Sequence, residues 1–293
     1  MTPSRHGRVA LVATAGFDET AAPIPTYPPP PYGGAVRADG ITSANTVGYT
    51  SQEVKAGQFY MVGVQFADVS AKADVANFNN FFATTCAPGE YGDGNDASMN
   101  NAPQIQVLNA SGIGYTKYYY INDAVDAEEN PVPGNCWANQ DGFIATNSDA
   151  LDLAKGFWFK SMTDGTVNCS GQVSATGDRG RTIIADQFNI VANAYPVALS
   201  LNSAESTDFT PGEYGDGNDA SMNNAPQIQV LNASGVGYTK YYYISDAVDA
   251  EENPVSGNCW VNQDGYMATG TQVPVGQSFW VKSASAGTFT FSL

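Results

Sequence analysis

Apolar and polar positions alternate along much of the chain in short runs, and no long stretch keeps a helical period. "QFYMVGVQF", ending at Phe66, and "QFNIVANAYPVAL", ending at Leu199, read as strands. "QIQVLN", a Gly-containing turn and "YTKYYYI" read as a hairpin. "GFWFKS", a turn and "GTVNCSGQV" predict a second hairpin, with "SFWVKS" and "GTFTFSL" as its copy. Only "SAKADVANFNNFFATT" has room for a turn or short helix. The expected fold class is all-β: two tandem antiparallel β-sandwich or barrel-like domains behind an extended N-terminal arm.

The pattern repeats. Residues 88–142 and 211–265 align without a gap, and only Ile113/Val236, Asn122/Ser245, Pro133/Ser256 and Ala138/Val261 differ. Outside that block the match loosens. "GQFYMVGVQF" ending at Phe66 corresponds to "DQFNIVANAY" ending at Tyr195, and "GTVNCSG" at Gly165 to "GTFTFSL" at Gly287. The expected units are residues 1–40, a Pro-rich arm or leader, then β domains at 41–172 and 173–293. "AAPIPTYPPPPYGG" in the arm suits an extended, polyproline-like tether.

Charge narrows the partners. The net charge is −17, which repels phosphate backbones and argues against nucleic acid. Each copy of the near-identical block carries eight acids and one lysine, so the two copies supply 14 of those 17 charges. No run reaches the roughly 18 apolar residues of a membrane span. "SRHGRVALVATAG" has the basic start and short apolar run of a weak export signal.

Glu90, Asp93, Asn95 and Asp96 cluster in one loop, repeated as Glu213, Asp216, Asn218 and Asp219. Clustered oxygen ligands suit Ca²⁺, the one candidate ion, although the spacing is not that of an EF-hand and no cofactor is otherwise expected. "GDGND" also makes a turn without any metal. A second acidic loop holds Asp123, Asp126, Glu128 and Glu129, with Asp246, Asp249, Glu251 and Glu252 in the copy. Paired carboxylates can serve a glycosidase. A whole catalytic apparatus present in both halves is unusual, however, so no enzyme and no catalytic residue is expected. The only histidine is His6, which removes histidine-based triads and metal sites from the repeats.

Cys136 and Cys259 are equivalent, whereas Cys86 aligns with Phe209 and Cys169 with Phe291. Two apolar positions that change together suggest contact, so either a Cys86–Cys169 disulfide or two buried thiols is expected. Tyr115, Tyr118, Tyr119, Tyr120 and Trp137, with their copies up to Trp260, could form a platform for glycans. Consecutive strand tyrosines point to opposite faces, so one set should enter the core and the other line an interface. The sequons at Asn109, Asn168 and Asn232 matter only in a cell that glycosylates.

The run "NTVGYTSQEVKAGQFYMVGVQF", then "IQVLNASGIGYTKYYYI", then "GFWFKS…GTVNCSGQV" resembles a group of secreted β-rich bacterial surface proteins. Those proteins repeat a VGY strand, a hairpin ending in YYY and a "GFWxxS…TxTFSGxV" close. The resemblance covers nearly all of residues 41–293 and implies export and an extracellular or cell-surface role.

Repeat one flows through "TVNCSGQV" into repeat two, which stops at "TFTFSL", while "ADGITSANTVG" at the front occupies the place "GQVSATGDRG" holds between them. Subunits joined as the repeats are joined would run head-to-tail into a filament, tube or surface layer. The expected function is therefore a non-enzymatic extracellular structural protein that polymerises with copies of itself. The alternative is a carbohydrate-binding or adhesin-like module.

Overall fold

The alternating pattern folds, in a computed structural model, almost wholly into antiparallel sheets. The structure describes residues 12–13, 46–66, 75–76, 78–91, 101–146, 151–173, 179–195, 197–205, 209–214 and 224–291. In chain order the N-terminal arm contributes β1 (Val12–Ala13), and repeat one contains β2 (Thr46–Val54), β3 (Phe59–Gly63), β4 (Val75–Ala76), α1 (Phe78–Phe81), β5 (Phe82–Thr84), β6 (Gln104–Leu108), β7 (Tyr115–Ile121), β8 (Cys136–Asn139), β9 (Leu151–Asp152), β10 (Gly156–Lys160) and β11 (Gly165–Gln172). Repeat two contains β12 (Arg181–Ile183), β13 (Phe188–Ala192), β14 (Leu199–Ser200), β15 (Ala204–Glu205), β16 (Gln227–Leu231), β17 (Tyr238–Ile244), β18 (Cys259–Val261), β19 (Gln272–Val273), β20 (Ser278–Lys282) and β21 (Gly287–Phe291).

Each repeat is a sandwich. One sheet of repeat one has the order β1-β2-β11-β5, the other β3-β10-β6-β7-β8. Repeat two gives β12-β21-β15 and β13-β20-β16-β17-β18, and no sheet closes into a barrel. Period-two alternation decides the faces. On β11, Val167 and Cys169 point inward; on β10, Phe157 and Phe159 do, leaving Trp158 and Lys160 on the opposite face. These side chains meet Val54, Phe82, Ile105, Tyr118 and Trp137 in one core. Burying each large apolar side chain stabilises by about 1.5–3 kcal/mol, so this layer holds the sandwich closed. Repeat two builds its equivalent around Trp260, Phe279, Phe289 and Phe291.

The predicted hairpin of β6 and β7 forms, with Gln106 opposite Lys117. The predicted hairpin of β10 and β11 does not. These consecutive strands lie in different sheets, β10 between β3 and β6, β11 between β2 and β5. The crossing is tied at the corner. The Gly57 N–H donates to the Ser161 carbonyl at 2.7 Å, and Asp164 accepts from the Ala56 N–H and the Lys55 ammonium, each at 2.9 Å.

Short helix α1 carries a polar pin. Asn79 Oδ1 accepts from the Trp137 N–H at 2.7 Å, and its Nδ2 donates to the carbonyls of Trp137 and Ala145 at 3.1 Å. Asn202, in the turn Leu201–Ser203, accepts from the Trp260 N–H at 2.9 Å and donates to the Ala268 carbonyl at 3.3 Å. Both pins satisfy the N–H of a strand tryptophan and tie it to the segment that follows the strand.

The cysteines take the second of the two arrangements expected for them. Cys86 and Cys169 share a core, yet they remain two buried thiols. Cys169 lies opposite Phe82, and continuing that ladder sets Cys86 beside Gly165, whose Cα would place a Cβ 2.8 Å from Cys86 Sγ. Four residues of strand separate the positions, about 13 Å, whereas a disulfide needs Cα atoms within about 7 Å. Overlaying the repeats showed a shared core but not this offset along the ladder.

Candidate functional site

The repeats meet through β3 and β10 on one side and β13 and β20 on the other. Val62 bridges Gln277, and Val191 bridges Lys155. The Gly63 N–H donates to the Gly276 carbonyl at 2.8 Å, and the Ala192 N–H donates to the Ala154 carbonyl at 2.8 Å. In the repeat alignment Val62 corresponds to Val191, Gln277 to Lys155, Gly63 to Ala192 and Gly276 to Ala154. Each of these backbone contacts is thus made twice with the partners exchanged, the signature of an approximate two-fold axis. The junction is isologous, not head-to-tail.

Aromatic rings follow the same symmetry. Phe59 packs edge-on to Trp158 at 5.9 Å, Trp158 reaches Trp280 at 6.1 Å, and Trp280 packs edge-on to Phe188 at 5.8 Å. Lys160 lies over the Phe59 ring and Lys282 over the Phe188 ring, 5.1 and 5.5 Å from the centroids.

The repeats are not interchangeable where they touch. A Cβ on Gly63 would overlap the Ala192 methyl, and one on Gly156 would overlap Ile190 and Ser278. Repeat one is recessed where repeat two carries side chains, since Gly63 corresponds to Ala192 and Gly156 to Ser278. Beside the recess Arg181 pairs with Asp152 at 3.2 Å. Burial pushes the neighbouring Lys155 ammonium pKa down, Arg181 adds to the shift, and Asp152 opposes it.

The near-identical blocks reach both ways: their β6–β7 and β16–β17 turns touch the other repeat, while β8 and β18 form the far edges of their sheets and carry the loops beyond. Their acidic loops are partly structural. Asp126 Oδ1 accepts from the Glu128 and Asn130 N–H groups at 3.0 and 2.8 Å, and Asp249 does the same for Glu251 and Asn253 at 2.9 Å each. These bonds hold both exposed carboxyls below the usual aspartate pKa, with the asparagine backbone contact foremost. They also hold Glu129 and Glu252 at φ 63°, a conformation that costs a non-glycine residue of order 1 kcal/mol or more. Asp123 and Asp246 accept from the N–H groups of Tyr91 and Tyr214 at 2.7 and 2.8 Å. Glu128, Glu129, Glu251 and Glu252 face solvent.

Of the calcium loop, only Glu90 and Glu213 belong to the described residues, and both are exposed. Asp93, Asn95, Asp96, Asp216, Asn218 and Asp219 lie outside them. Among the described residues no group of three or more His, Cys, Asp or Glu is placed to hold a metal ion.

Trp137 and Trp260 do not form the platform that the alternative glycan reading draws on. Trp137 is 0% and Trp260 1% exposed, and the Trp137 indole N–H donates to the Phe82 carbonyl at 3.1 Å. Tyr118 enters the sandwich core, while Tyr119 is buried on the opposite face with Ile121, Ala124 and Cys136. Both faces of β7 are covered by the chain itself, so its central tyrosines offer no stacking surface. The hairpin sequons are also committed: Asn109 donates to the Ile113 carbonyl at 3.2 Å and accepts from Thr116 at 2.9 Å, a pattern repeated at Asn232.

One feature escaped the sequence reading. A cleft of about 270 Å³ opens in repeat one between β2 and β3 and is walled on its far side by Leu231–Gly235 and Pro274–Gln277 of repeat two. On its floor Gln65, 2% exposed, donates through Nε2 to Thr50 Oγ1, while its Oε1 has no protein partner. Leaving a buried amide oxygen unpaired costs about 1–3 kcal/mol. The two-fold counterpart, walled by Leu108–Gly112 against β12 and β13, measures about 120 Å³. The hint lay in the overlay, where Gln65 stands against Ala194 and Cys169 against Phe291. No protein-family model matches the chain, and no curated protein or solved structure matches it.

Proposed function

We propose that the chain is a non-enzymatic extracellular structural protein that assembles with copies of itself into a filament, tube or surface layer. The observation that carries this reading is the division of labour between its surfaces. The divergent strands β3, β10, β13 and β20 form most of the internal two-fold junction, and the two nearly identical blocks carry their acidic loops beyond the far edges β8 and β18. A unit with two equal faces is bivalent, and bivalence gives avidity or extended assembly without new contacts. The isologous junction is not itself the template for a head-to-tail contact. That role falls to the N-terminal arm, because β1 already adds antiparallel to the edge of β2, with Val12 opposite Val47. Passed to a neighbour, the same strand addition would join subunits in an open series. The arm between β1 and β2 lies outside the described residues.

Negative-stain microscopy of the purified protein, with and without calcium, tests the reading. Ordered filaments, tubes or sheets support it, and loss of order on deleting residues 1–40 assigns the joint to the arm. Dispersed monomers under every condition overturn it.

The second reading, a glycan-binding surface module, is favoured by the mixed polar and apolar cleft of repeat one rather than by the buried tryptophans.

A further inference from the structure

The cleft belongs to repeat one because the two sandwiches fill the same space differently. In repeat two, Phe289 and Phe291 stand where repeat one has Val167 and Cys169. Their rings pack 5.4 Å apart and against Phe279 at 5.7 and 6.0 Å, and the Tyr195 hydroxyl closes over them by donating to the Phe291 carbonyl at 2.9 Å. Repeat one trims both rings, so Val167 and Cys169 become cleft wall. It also introduces a buried primary amide, Gln65, where repeat two has Ala194. Trimming a core aromatic normally costs stability through the void it leaves. Here the void is floored by polar groups, Thr50 and Gln65, and reaches the surface beside half-exposed Phe59.

The chemistry of the lining selects the ligand. The lining is mixed: Thr50, Gln52 and Gln65 bring hydroxyl and amide groups, Met61, Val62 and Val167 bring apolar surface, and no lysine or arginine takes part. Glu53, at the rim, adds negative charge. An anion is therefore disfavoured. Burial pushes the Cys169 thiol far above its usual pKa, so it offers neither a thiolate nucleophile nor a soft metal ligand. What remains is a neutral ligand that donates a hydrogen bond to Gln65 Oε1, accepts others, and lays an apolar face on Phe59.

We propose that this cleft binds a single neutral sugar ring, at a glycan terminus or as a free monosaccharide, in repeat one and not in repeat two. The site rests on the glycan-binding reading and is independent of self-assembly. Repeat two supplies the outer wall through Pro274–Gln277, so the site is complete only when the junction is formed.

The test is saturation-transfer NMR and calorimetry on the full chain, using methyl glycosides of glucose, galactose, mannose and N-acetylglucosamine. Saturable binding to at least one glycoside is expected. Cys169→Phe, which copies the residue of repeat two, should abolish it, and Gln65→Leu should weaken it about tenfold or more. Asp249→Asn, on the distant outer loop, should leave it unchanged. Should Cys169→Phe fail to fold, Gln65→Leu alone decides the matter. Binding that persists in Gln65→Leu and in any folded Cys169→Phe protein overturns the cleft assignment while leaving the glycan-binding reading intact. No binding by any of the four sugars means the cleft holds water alone and overturns both.

Discussion

Trp158 and Trp280 stand 6.1 Å apart with their rings inclined at 59°, each reaching across the junction from the same position of its own repeat. Each also packs edge-on to a phenylalanine of its own repeat, Phe59 or Phe188. The ring ladder therefore runs across the junction on the sheet faces turned away from the two cores. A double-mutant cycle with Trp158→Ala and Trp280→Ala should give a coupling energy of about 0.5–1.5 kcal/mol in urea unfolding. Strict additivity would mean that the pair does not join the repeats energetically.

The recess at Gly156 predicts a second outcome. Gly156→Val forces a side chain into the space of Ile190 and Ser278, and overpacking of this kind costs about 1–3 kcal/mol. The midpoint of thermal unfolding should fall by several degrees, at about 2–4 °C per kcal/mol for a chain of this size class. Ser278→Gly removes a small group from the same contact and should cost less. An unchanged midpoint for Gly156→Val would show that the interface is looser than described.

The acidic loops set a pH dependence. Asp126 and Asp249 have folded-state pKa values below 3.8, their ordinary value, because backbone N–H groups favour the charged form. For a depressed pKa the stabilisation is fully present above the unfolded value and is lost as pH falls through the folded one. The protein should therefore lose thermal stability below about pH 4. The Asp126→Asn/Asp249→Asn variant should show a shallower loss over the same range. Parallel curves for the two proteins would remove these carboxylates from the acid response.

All four cysteines are buried thiols. A chromogenic disulfide reagent should react slowly or not at all with native protein and with four equivalents after denaturation. Peptide maps with and without reductant should coincide. A linked Cys86–Cys169 peptide would require the β5–β11 ladder to shift by about four residues.

The strands and the hairpin of β6 and β7 were legible because a period of two and a Gly-containing turn are local properties. Which sheet a strand joins is not local. β10 and β11 read as a hairpin, yet the corner at Ser161 and Asp164 sends them to opposite layers. The second face of β7 is expected to line an interface, because nothing in "YTKYYYI" shows that residues around Ala124 fold back over Tyr119. Gly63 and Gly156 gave no warning either. A strand glycine that makes room for another repeat looks, in sequence, like any weak point in a strand. The only readable signal was their mismatch with Ala192 and Ser278 in strands that otherwise correspond.

That mismatch makes the molecule a two-component lock written on one thread. Cleaved between Val173 and Arg179, it would yield one half bearing sockets at Gly63 and Gly156, and another bearing plugs at Ala192 and Ser278. Two socket halves would meet across gaps, and two plug halves would collide. In a mixture, only unlike halves should close on each other.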